Sequence, residues 1–344
     1  MNNIESEGVF LCKAGNPEDA FQRKTIQVHS PEGNNVLVQV EAFGLNYADV
    51  MARRGLYQEA PPFPCIIGYE VVGNIIQCGP EADQGLLGQR VVAFCRFGGY
   101  ARHVITNDYA VVKAEDEPAS ELLALCTQGV TAYYMAEYVT SIHALDTVLI
   151  HAAAGGVGTI LIQLAKLKGA EVIAKVGTEE KISIANDMGS DLSVNYTASD
   201  YIEQIKNYLN GARIDISFNP FAGGTFKKDM NILGSGGRMV LFGGSELSRG
   251  KWGVFSKINF VRKMGLIVPV KLMITSKSII GVNMLKIADN KPQVLEKCLK
   301  EVVSLYRQGK IKPQIGGEYT IDELNEAHKA LESGKSTGKL SVFW

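Results

Sequence analysis

The segment that most constrains the fold of this chain spans residues 148–165 and reads VLIHAAAGGVGTILIQLA. A short apolar run stops at a cluster of alanine and glycine, and apolar residues then return at helical spacing. Residues 148–150 are therefore predicted to form a strand, and the segment after the glycines is predicted to form a helix that Gly169 ends. The residues predicted on the buried face of this helix are Val157, Ile160, Leu161, Leu164 and Ala165.

The same alternation of strand and helix continues along the chain. A helix that ends at Gly189 is predicted after the next strand. The further strands are predicted at EVIAKV, IDISF and GRMVLFGG. Short apolar strands separated by helices are typical of parallel pairing, so this region is predicted to form a doubly wound parallel sheet.

The first 120 residues show a different pattern, with short β-rich segments bounded by glycine, asparagine and aspartate. This spacing predicts a barrel-like domain, and a length of 344 residues fits roughly two domains. Near the other end, SIIGVNML is predicted to be one more strand, residues 292–308 a long helix, and DELNEAHKALESGK a last helix.

Composition excludes several classes of protein. Apolar residues make up 46% and charged residues 21% of the chain, as in globular proteins, and the net charge of −1 argues against nucleic-acid binding. The six cysteines form no C-x-x-C pair, and the polar start MNNIESEGVF does not resemble a signal peptide, so a cytoplasmic setting is expected. Lys271 and Lys277 interrupt the most apolar late stretch, so no transmembrane segment is expected.

The glycine turn has the context of a dinucleotide site, because it follows a strand and opens a helix. Ala153-x-Gly155-x-x-Gly158 matches G-x-G-x-x-G except at the first position. Gly155 and Gly156 would let backbone N–H groups approach a diphosphate, Gly158 would let the helix pack closely, and the helix N-terminus would attract the phosphates. The alternative is a close-packed turn that binds no ligand.

The end of the second strand distinguishes the two nicotinamide coenzymes. NAD sites usually carry an acid there, whereas this chain has Val176 and Gly177, followed by Lys181 and later by Tyr196. A missing acid and a nearby lysine favour the 2′-phosphate of NADPH. Glu179 and Glu180 complicate this hypothesis, although acids are favoured in a first helical turn, and Lys181 remains open to interpretation as a surface lysine.

Five separated motifs carry a family resemblance. In chain order they read GLNYADVMARRGLY, GYEVVG, GVTAYY, VLIHAAAGGVG and LESGKSTGKL. On these motifs nearly the whole chain resembles the zinc-independent quinone oxidoreductases of the medium-chain dehydrogenase/reductase superfamily. The first motif and GKIKPQI look closest to the branch that contains the synaptic vesicle membrane protein homologues.

The resemblance implies an α/β protein with two domains. A GroES-like β-barrel catalytic domain would comprise residues 1–123 and 280–344, and a Rossmann domain with a doubly wound parallel sheet would comprise residues 124–279. The resemblance further implies NADPH as coenzyme, a quinone or an enone as small-molecule substrate, and a homodimer joined along the Rossmann sheets.

The resemblance also implies the site residues. Asn46 and Tyr57 match positions near the nicotinamide and are the expected catalytic residues, Tyr57 as a hydrogen-bond donor to a developing oxyanion. Tyr57 is equally open to interpretation as a packing aromatic. The expected coenzyme-binding residues are Asn46, Thr131, Ala154, Gly155, Gly156, Val157, Gly158, Thr178, Lys181, Tyr196, Phe242 and Gly243.

The chain departs from the family pattern at Asn219, where relatives commonly have aspartate, and at Gly334, where some relatives have an arginine near the coenzyme phosphate. Zinc-dependent cousins need cysteine or histidine at three separated positions, and this chain has Asn46, Tyr69 and Thr127 at or near them. No metal site is therefore expected, and His151, beside the glycine turn, is interpreted as an ordinary strand-end residue.

A metal-free hydride donor suits an acceptor that is already electrophilic, such as a quinone or the β-carbon of an enone. The expected function is therefore an NADPH-dependent, zinc-independent reductase; the alternative is a non-enzymatic NADPH-binding adapter or membrane-trafficking protein. A basic segment would serve as a lid, as a peripheral membrane contact or as a solvated connection. Its basic residues are Arg249, Lys251, Lys257, Arg262 and Lys263.

Overall fold

The computed structural model describes residues 3–248 and 253–344, and strands occur along the whole of this length. In chain order the strands are β1 (Ile4–Leu11), β2 (Phe21–Val28), β3 (Asn35–Leu45), β4 (Glu70–Cys78), β5 (Arg90–Phe94), β6 (His103–Asn107), β7 (Val111–Lys113), β8 (Thr147–His151), β9 (Glu171–Val176), β10 (Leu192–Asn195), β11 (Ile214–Asn219), β12 (Leu233–Leu241), β13 (Ser278–Gly281), β14 (Ile315–Thr320) and β15 (Lys339–Phe343).

The helices cluster in the middle and near the end of the chain. They are α1 (Pro17–Ala20), α2 (Tyr47–Arg53), α3 (Ala119–Leu123), α4 (Val130–Tyr133), α5 (Gly156–Leu167), α6 (Glu179–Asp187), α7 (Tyr201–Tyr208), α8 (Gly223–Ile232), α9 (Ser245–Ser248), α10 (Gly253–Met264), α11 (Pro269–Thr275), α12 (Met284–Asn290), α13 (Pro292–Arg307) and α14 (Leu324–Glu332). None of the helices in the described residues is both long and apolar enough to cross a bilayer.

The chain divides into two structural units. One ends at Val130 and resumes with Leu285–Trp344, and the other is Thr131–Met284. The boundaries predicted from sequence lay a few residues earlier, at 123/124 and 279/280. The predicted strand SIIGVNML is shorter in the structure, because Met284 starts α12 and buries the next side chain, Leu285.

The inserted unit contains a six-stranded parallel sheet in the order β10-β9-β8-β11-β12-β13. The chain moves outward from β8 to β10 and then returns to β11 on the other side of β8, so the direction of winding reverses between β8 and β11. In such sheets ligands bind beyond the carboxyl ends of the strands at this reversal. Residues 148–151 at the end of β8 are buried, as a central parallel strand requires.

The other unit contains a seven-stranded sheet in the order β14-β15-β3-β4-β5-β7, with β6 also paired to β3. The first half of β3 pairs with β6 and its second half with β15, so a single long strand joins both chain ends into one curved sheet. Phe43 and Leu45 of β3 are fully buried in its core. The fold class predicted from sequence, a GroES-like barrel with a Rossmann sheet, is confirmed.

Candidate functional site

The glycine turn lies where the parallel sheet reverses. β8 ends at His151, Ala152 adopts a left-handed backbone conformation (φ 50°), and α5 begins at Gly156. A Cβ at Gly158 would lie 2.5 Å from the carbonyl oxygen of Ala152 and 2.7 Å from Cα of Ala153. Glycine at 158 therefore lets the first turn of α5 approach the end of the strand.

The N-terminus of α5 differs from those of its neighbours in the same sheet. Thr178 caps α6 and Asp200 caps α7, and Glu246 accepts a hydrogen bond from the second residue of α8, Gly224. Gly155 gives α5 no side-chain cap, and no acid occupies its first turn. Among the helices that follow β8 to β11, α5 thus presents uncapped N–H groups and an uncompensated positive dipole end, which suits a diphosphate.

The end of β9 carries a second feature of interest. Tyr196 leans over Gly177, where a Cβ would lie 3.1 Å from the tyrosine hydroxyl, and its backbone N–H donates to the carbonyl of Val176. Glu179 accepts a 2.6 Å hydrogen bond from the amide of Asn195. Glu179, in the first turn of α6, is therefore held by the last residue of β10, and the end of β9 faces a tyrosine ring and no carboxylate.

The remaining predicted coenzyme-binding residues lie in the same unit. Lys181 follows the cap of α6, and its backbone N–H donates to the hydroxyl of Thr178. Phe242 and Gly243 follow β12, and a Cβ at Gly243 would lie 2.8 Å from the carbonyl of Pro220, so the loops after β11 and β12 are in contact. Ala154 is buried, Val157 is half-buried, Gly155 and Gly156 open α5, and Thr131 lies in α4.

Asn219 organises the loop after β11. Its side-chain oxygen accepts from the backbone N–H groups of Phe221 and Ala222, at 2.9 and 3.0 Å. Its amide nitrogen donates to Oδ2 of Asp229 at 2.7 Å. Asp229 is fully buried in α8. In this hydrogen bond the helix therefore contributes the carboxylate, and Asn219 at the end of β11 contributes the donor.

In the other unit, Asn46 precedes α2 and belongs to a buried polar cluster. Its amide nitrogen donates to Oε1 of Glu70 at 2.7 Å, and its side-chain oxygen lies 3.4 Å from the ammonium of Lys339. Lys339 also forms an ion pair with Glu70, and the hydroxyl of Thr127 donates to the second oxygen of that carboxylate. A Cβ at Gly44 would overlap the ion pair, so glycine there leaves room for it.

The electrostatics of this cluster follow from burial. Glu70 and Lys339 have no exposed side-chain area. Burial raises the pKa of Glu70, and the ammonium of Lys339 and the amide of Asn46 oppose that rise. The cluster thus fixes the orientation of Asn46 by two charged neighbours, which leaves little rotational freedom to its amide.

Tyr57 lies in the loop after α2 and is half-buried. Its ring meets that of Tyr69 edge-on, with centroids 6.4 Å apart. Burial raises the pKa of Tyr57 to about 12, so its hydroxyl is protonated at neutral pH and can donate a hydrogen bond. The adjacent Glu59 binds Lys286 at 3.0 Å, which anchors this loop to α12.

The side chains at the positions compared with zinc ligands are an amide at Asn46, a phenol at Tyr69 and a hydroxyl at Thr127. These groups are poor ligands for zinc, which prefers thiolate, imidazole and carboxylate. The described part of the chain also contains no group of three histidine, cysteine or acidic residues placed to hold a metal ion. The donor set therefore does not fit a zinc site.

Comparison with known proteins assigns the family. Residues 32–145 match the alcohol dehydrogenase GroES-like domain, and residues 156–300 match the family described as zinc-binding dehydrogenase. The chain is 30% identical to quinone oxidoreductase of Homo sapiens over 338 residues, which cover 97% of each protein. The chain belongs to the quinone oxidoreductase family of the medium-chain dehydrogenases/reductases.

Other relatives and solved structures are similar to this chain over most of its length. The synaptic vesicle membrane protein VAT-1 homolog of Homo sapiens is 26% identical over 90% of this chain and 79% of its own length. The Escherichia coli quinone oxidoreductase complexed with NADPH superposes with a TM-score of 0.85 at 26% identity, and covers 98% of this chain and 100% of its own. The predicted family resemblance is confirmed.

Sequence analysis missed several buried charged residues of this quinone oxidoreductase family member. They are Glu70, Lys175, Asp229 and Lys339, and all are almost completely buried. A signal for three of them existed, because Glu70, Lys175 and Lys339 interrupt or begin apolar strand segments, where an isolated charge needs a partner. The partners come from distant parts of the chain, which sequence spacing does not reveal.

The basic segment lies only partly in the described structure. Arg249 and Lys251 lie outside the described residues, as does the side chain of Lys257. Lys263 forms an ion pair of 2.5 Å with Glu246, the residue that caps α8. This ion pair links the end of α10 to α9.

We predict that Asn219→Asp destabilises the protein. The substitution would bring a second carboxylate to the place where an amide now donates to Asp229, and a lost buried hydrogen bond costs about 1–3 kcal/mol of unfolding free energy. Urea unfolding followed by circular dichroism measures the effect. The double variant Asn219→Asp/Asp229→Asn, which exchanges donor and acceptor, should recover most of the loss. A single variant as stable as the parent would contradict the prediction.

We predict strong coupling between Glu70 and Lys339. Glu70→Gln leaves a buried ammonium without its counter-charge, and breaking a buried pair costs about 3–5 kcal/mol. The double variant Glu70→Gln/Lys339→Met should lose much less than the sum of the single losses, measured by denaturant unfolding. Glu296→Gln, which breaks an exposed i,i+4 pair with Lys300, is the matched control and should change stability by less than about 0.5 kcal/mol. Additive losses at 70 and 339 would argue against a coupled pair.

Proposed function

We propose that this protein is an NADPH-dependent oxidoreductase that reduces quinones or the carbon–carbon double bond of enones without zinc. The observation that carries the proposal is the uncapped N-terminus of α5 beside a strand end, Gly177 and Tyr196, that lacks the acid of an NAD site. The human relative described as quinone oxidoreductase and the Escherichia coli structure described as an NADPH complex support it.

The residues of the inserted unit fit the coenzyme. The N–H groups of Gly156, Val157 and Gly158 at the start of α5 would bind the diphosphate, since no side chain caps this helix and the N–H of Gly155 already donates to the carbonyl of Ala152. Lys181 and the hydroxyl of Tyr196 would hold the 2′-phosphate, a role that a strand-end carboxylate would oppose by repulsion. When bound, the reduced nicotinamide supplies the hydride. The protein contributes position and electrostatics.

The residues of the GroES-like unit would act on the reacting groups. Tyr57 would donate its hydroxyl proton in a hydrogen bond to the acceptor oxygen on which negative charge develops, and its raised pKa keeps that proton in place across the neutral range. Asn46, held by Glu70 and Lys339, would orient the nicotinamide ribose or the substrate oxygen. With no thiolate or imidazole at the zinc positions, the site suits an acceptor that needs no metal activation.

A second candidate function is that of an NADPH-binding adapter without turnover. The relatives described as synaptic vesicle membrane protein VAT-1 homologs favour it, at 26% identity for the human protein. This candidate has the same coenzyme site as the reductase but has no substrate that accepts the hydride. It predicts tight coenzyme binding with no oxidation by any acceptor.

We also propose a homodimer that extends the parallel sheet through β13. This strand ends the sheet, and no described strand covers its outer edge. The segment that directly precedes it exposes apolar side chains: Leu266 is 91% exposed, Met273 78% and Ile274 80%. An unpaired strand edge beside exposed apolar residues is typical of an association surface.

The activity test follows NADPH absorbance in the presence of 1,4-quinones and alkenals. We expect turnover with NADPH above NADH, and Lys181→Ala should reduce that preference by about tenfold, the effect of losing one charge-assisted bond to phosphate.

Tyr57→Phe should lower kcat by about 100-fold, as for loss of one oxyanion donor. Tyr208→Phe, at a half-exposed tyrosine bonded to Glu171, should leave kcat unchanged. Coenzyme binding without oxidation by any acceptor would favour the adapter.

The dimer test is sedimentation velocity at micromolar protein. We expect a dimer for the parent chain and a monomer for Met273→Glu/Ile274→Glu, because charges on the apolar surface would be desolvated by association. Thermal unfolding of the variant checks that it remains folded. A monomeric parent chain would contradict the proposal.

A further inference from the structure

Lys175 is a buried cation near the end of β9, only 3% exposed. Its ammonium lies 4.0 Å from the ring centroid of Tyr201, 4.8 Å from that of Tyr196 and 5.8 Å from that of Phe221. All three rings follow the carboxyl ends of β10 or β11. Three aromatic rings within 6 Å hold an ammonium by cation–π attraction, which is strong where the cation is desolvated.

A chain of short contacts through His151 links the ammonium of Lys175 to the carboxylate of Asp229. Nδ1 of His151 lies 3.2 Å from the ammonium, and Nε2 of the same ring lies 2.7 Å from Oδ2 of Asp229. Burial lowers the pKa of His151, so the ring is neutral at pH 7. A neutral ring satisfies both neighbours only with its proton on Nε2, where it faces the carboxylate, and a free lone pair on Nδ1, where it faces the ammonium.

The position of Tyr196 connects this cation to the coenzyme site. One face of the Tyr196 ring meets Lys175, and its hydroxyl lies beside Gly177 at the strand end. The tyrosine is still 38% exposed, so it presents a surface to a ligand while its ring is anchored from the protein side. Without Lys175 the ring would lose the attraction that fixes its orientation.

We propose that Lys175 is a positioning residue for recognition of the adenosine 2′-phosphate, because it anchors Tyr196 and adds a second positive charge beside that of Lys181. The inference rests on the proposed function, since it assigns Lys175 to the same NADPH site. It does not require Lys175 to touch the phosphate. The role is to hold the tyrosine and to raise the local potential.

If Lys175 has this role, the preference of the site for a ribose with a 2′-phosphate over one without it depends on pH. The charged and titratable groups that face Lys175 are His151 from β8, Asp200 at the start of α7, Tyr196, Tyr201, and Lys228 and Asp229 from α8. Burial lowers the pKa of Lys175 to about 8, an effect that Asp229 opposes. The ammonium is therefore charged below pH 8 and loses its charge as the pH rises above 8. Preference for a phosphorylated ribose should fall over the same range.

The test uses titration calorimetry with 2′,5′-ADP and 5′-AMP, which share adenosine and differ at the 2′-phosphate. We expect Lys175→Met to lower the affinity for 2′,5′-ADP by about tenfold, the scale of one lost cation–π contact at a desolvated site, and to change the affinity for 5′-AMP much less. Lys228→Met is the matched control, since Lys228 lies 5.3 Å from the same Tyr201 ring but its side chain is 51% exposed. It should change both affinities by less than twofold.

The second measurement is the pH dependence of the two affinities in the unmodified protein. It tests the proposal even if Lys175→Met does not fold. A 2′-phosphate with a second pKa near 6 is already about nine-tenths doubly ionised at pH 7, so changes between pH 7 and 9 report mainly protein groups. The ratio of the two affinities should fall by about tenfold over this range, as expected for loss of one charge.

The outcomes separate the inference from the proposed function. A parent protein that does not prefer 2′,5′-ADP at pH 7 would overturn the NADPH assignment and the role of Lys175 with it. A clear preference that neither Lys175→Met nor a rise to pH 9 reduces would overturn the role of Lys175 alone. A preference that falls in Lys175→Met but not in Lys228→Met would support both.

Discussion

The close approach of α5 to the end of β8 is the constraint on which the coenzyme side of this structure depends. A single Cβ at Gly158 would collide with the backbone of Ala152 and Ala153 and would move the helix away from the sheet. The helix must begin immediately at the strand end, because only there do its first N–H groups point beyond the carboxyl edge of the sheet. Gly177 follows β9 and Asn219 ends β11, and both strands pair with β8, so these two features flank the turn.

In both units, buried charged side chains fix the orientation of a residue of the candidate site. In the GroES-like unit, Lys339 and Glu70 hold Asn46; in the inserted unit, Lys175 and Asp229 contact the two ring nitrogens of His151, and Lys175 also contacts the ring of Tyr196. Burying a charge is costly unless it is paired and hydrogen-bonded. A network of this kind adds little net stability, but it allows few alternative side-chain orientations. Such rigidity suits residues that must meet a ligand at a fixed angle.

The fold was predictable because its signals are local. The glycine turn and the alternation of EVIAKV with helices identified the parallel sheet, and β9 has the predicted bounds, Glu171–Val176. The end of SIIGVNML was predicted wrongly, because an apolar run does not distinguish a strand from the first turn of a helix such as α12. The site was less predictable. The contact of Lys339 with Glu70 joins residues 269 positions apart, and no periodicity in the sequence encodes such a pair.

Asn219 and the buried charge of Lys175 are parts of one arrangement. Asn219 uses its oxygen to shape the backbone at Phe221 and Ala222, and only a side chain with a donor as well can also serve Asp229. The carboxylate therefore lies on α8, where it faces His151. From there its charge reaches Lys175 through the imidazole and not by direct contact, which leaves the ammonium free to hold the ring of Tyr196. The position of the carboxylate on α8 thus leaves room for a buried cation at the end of β9.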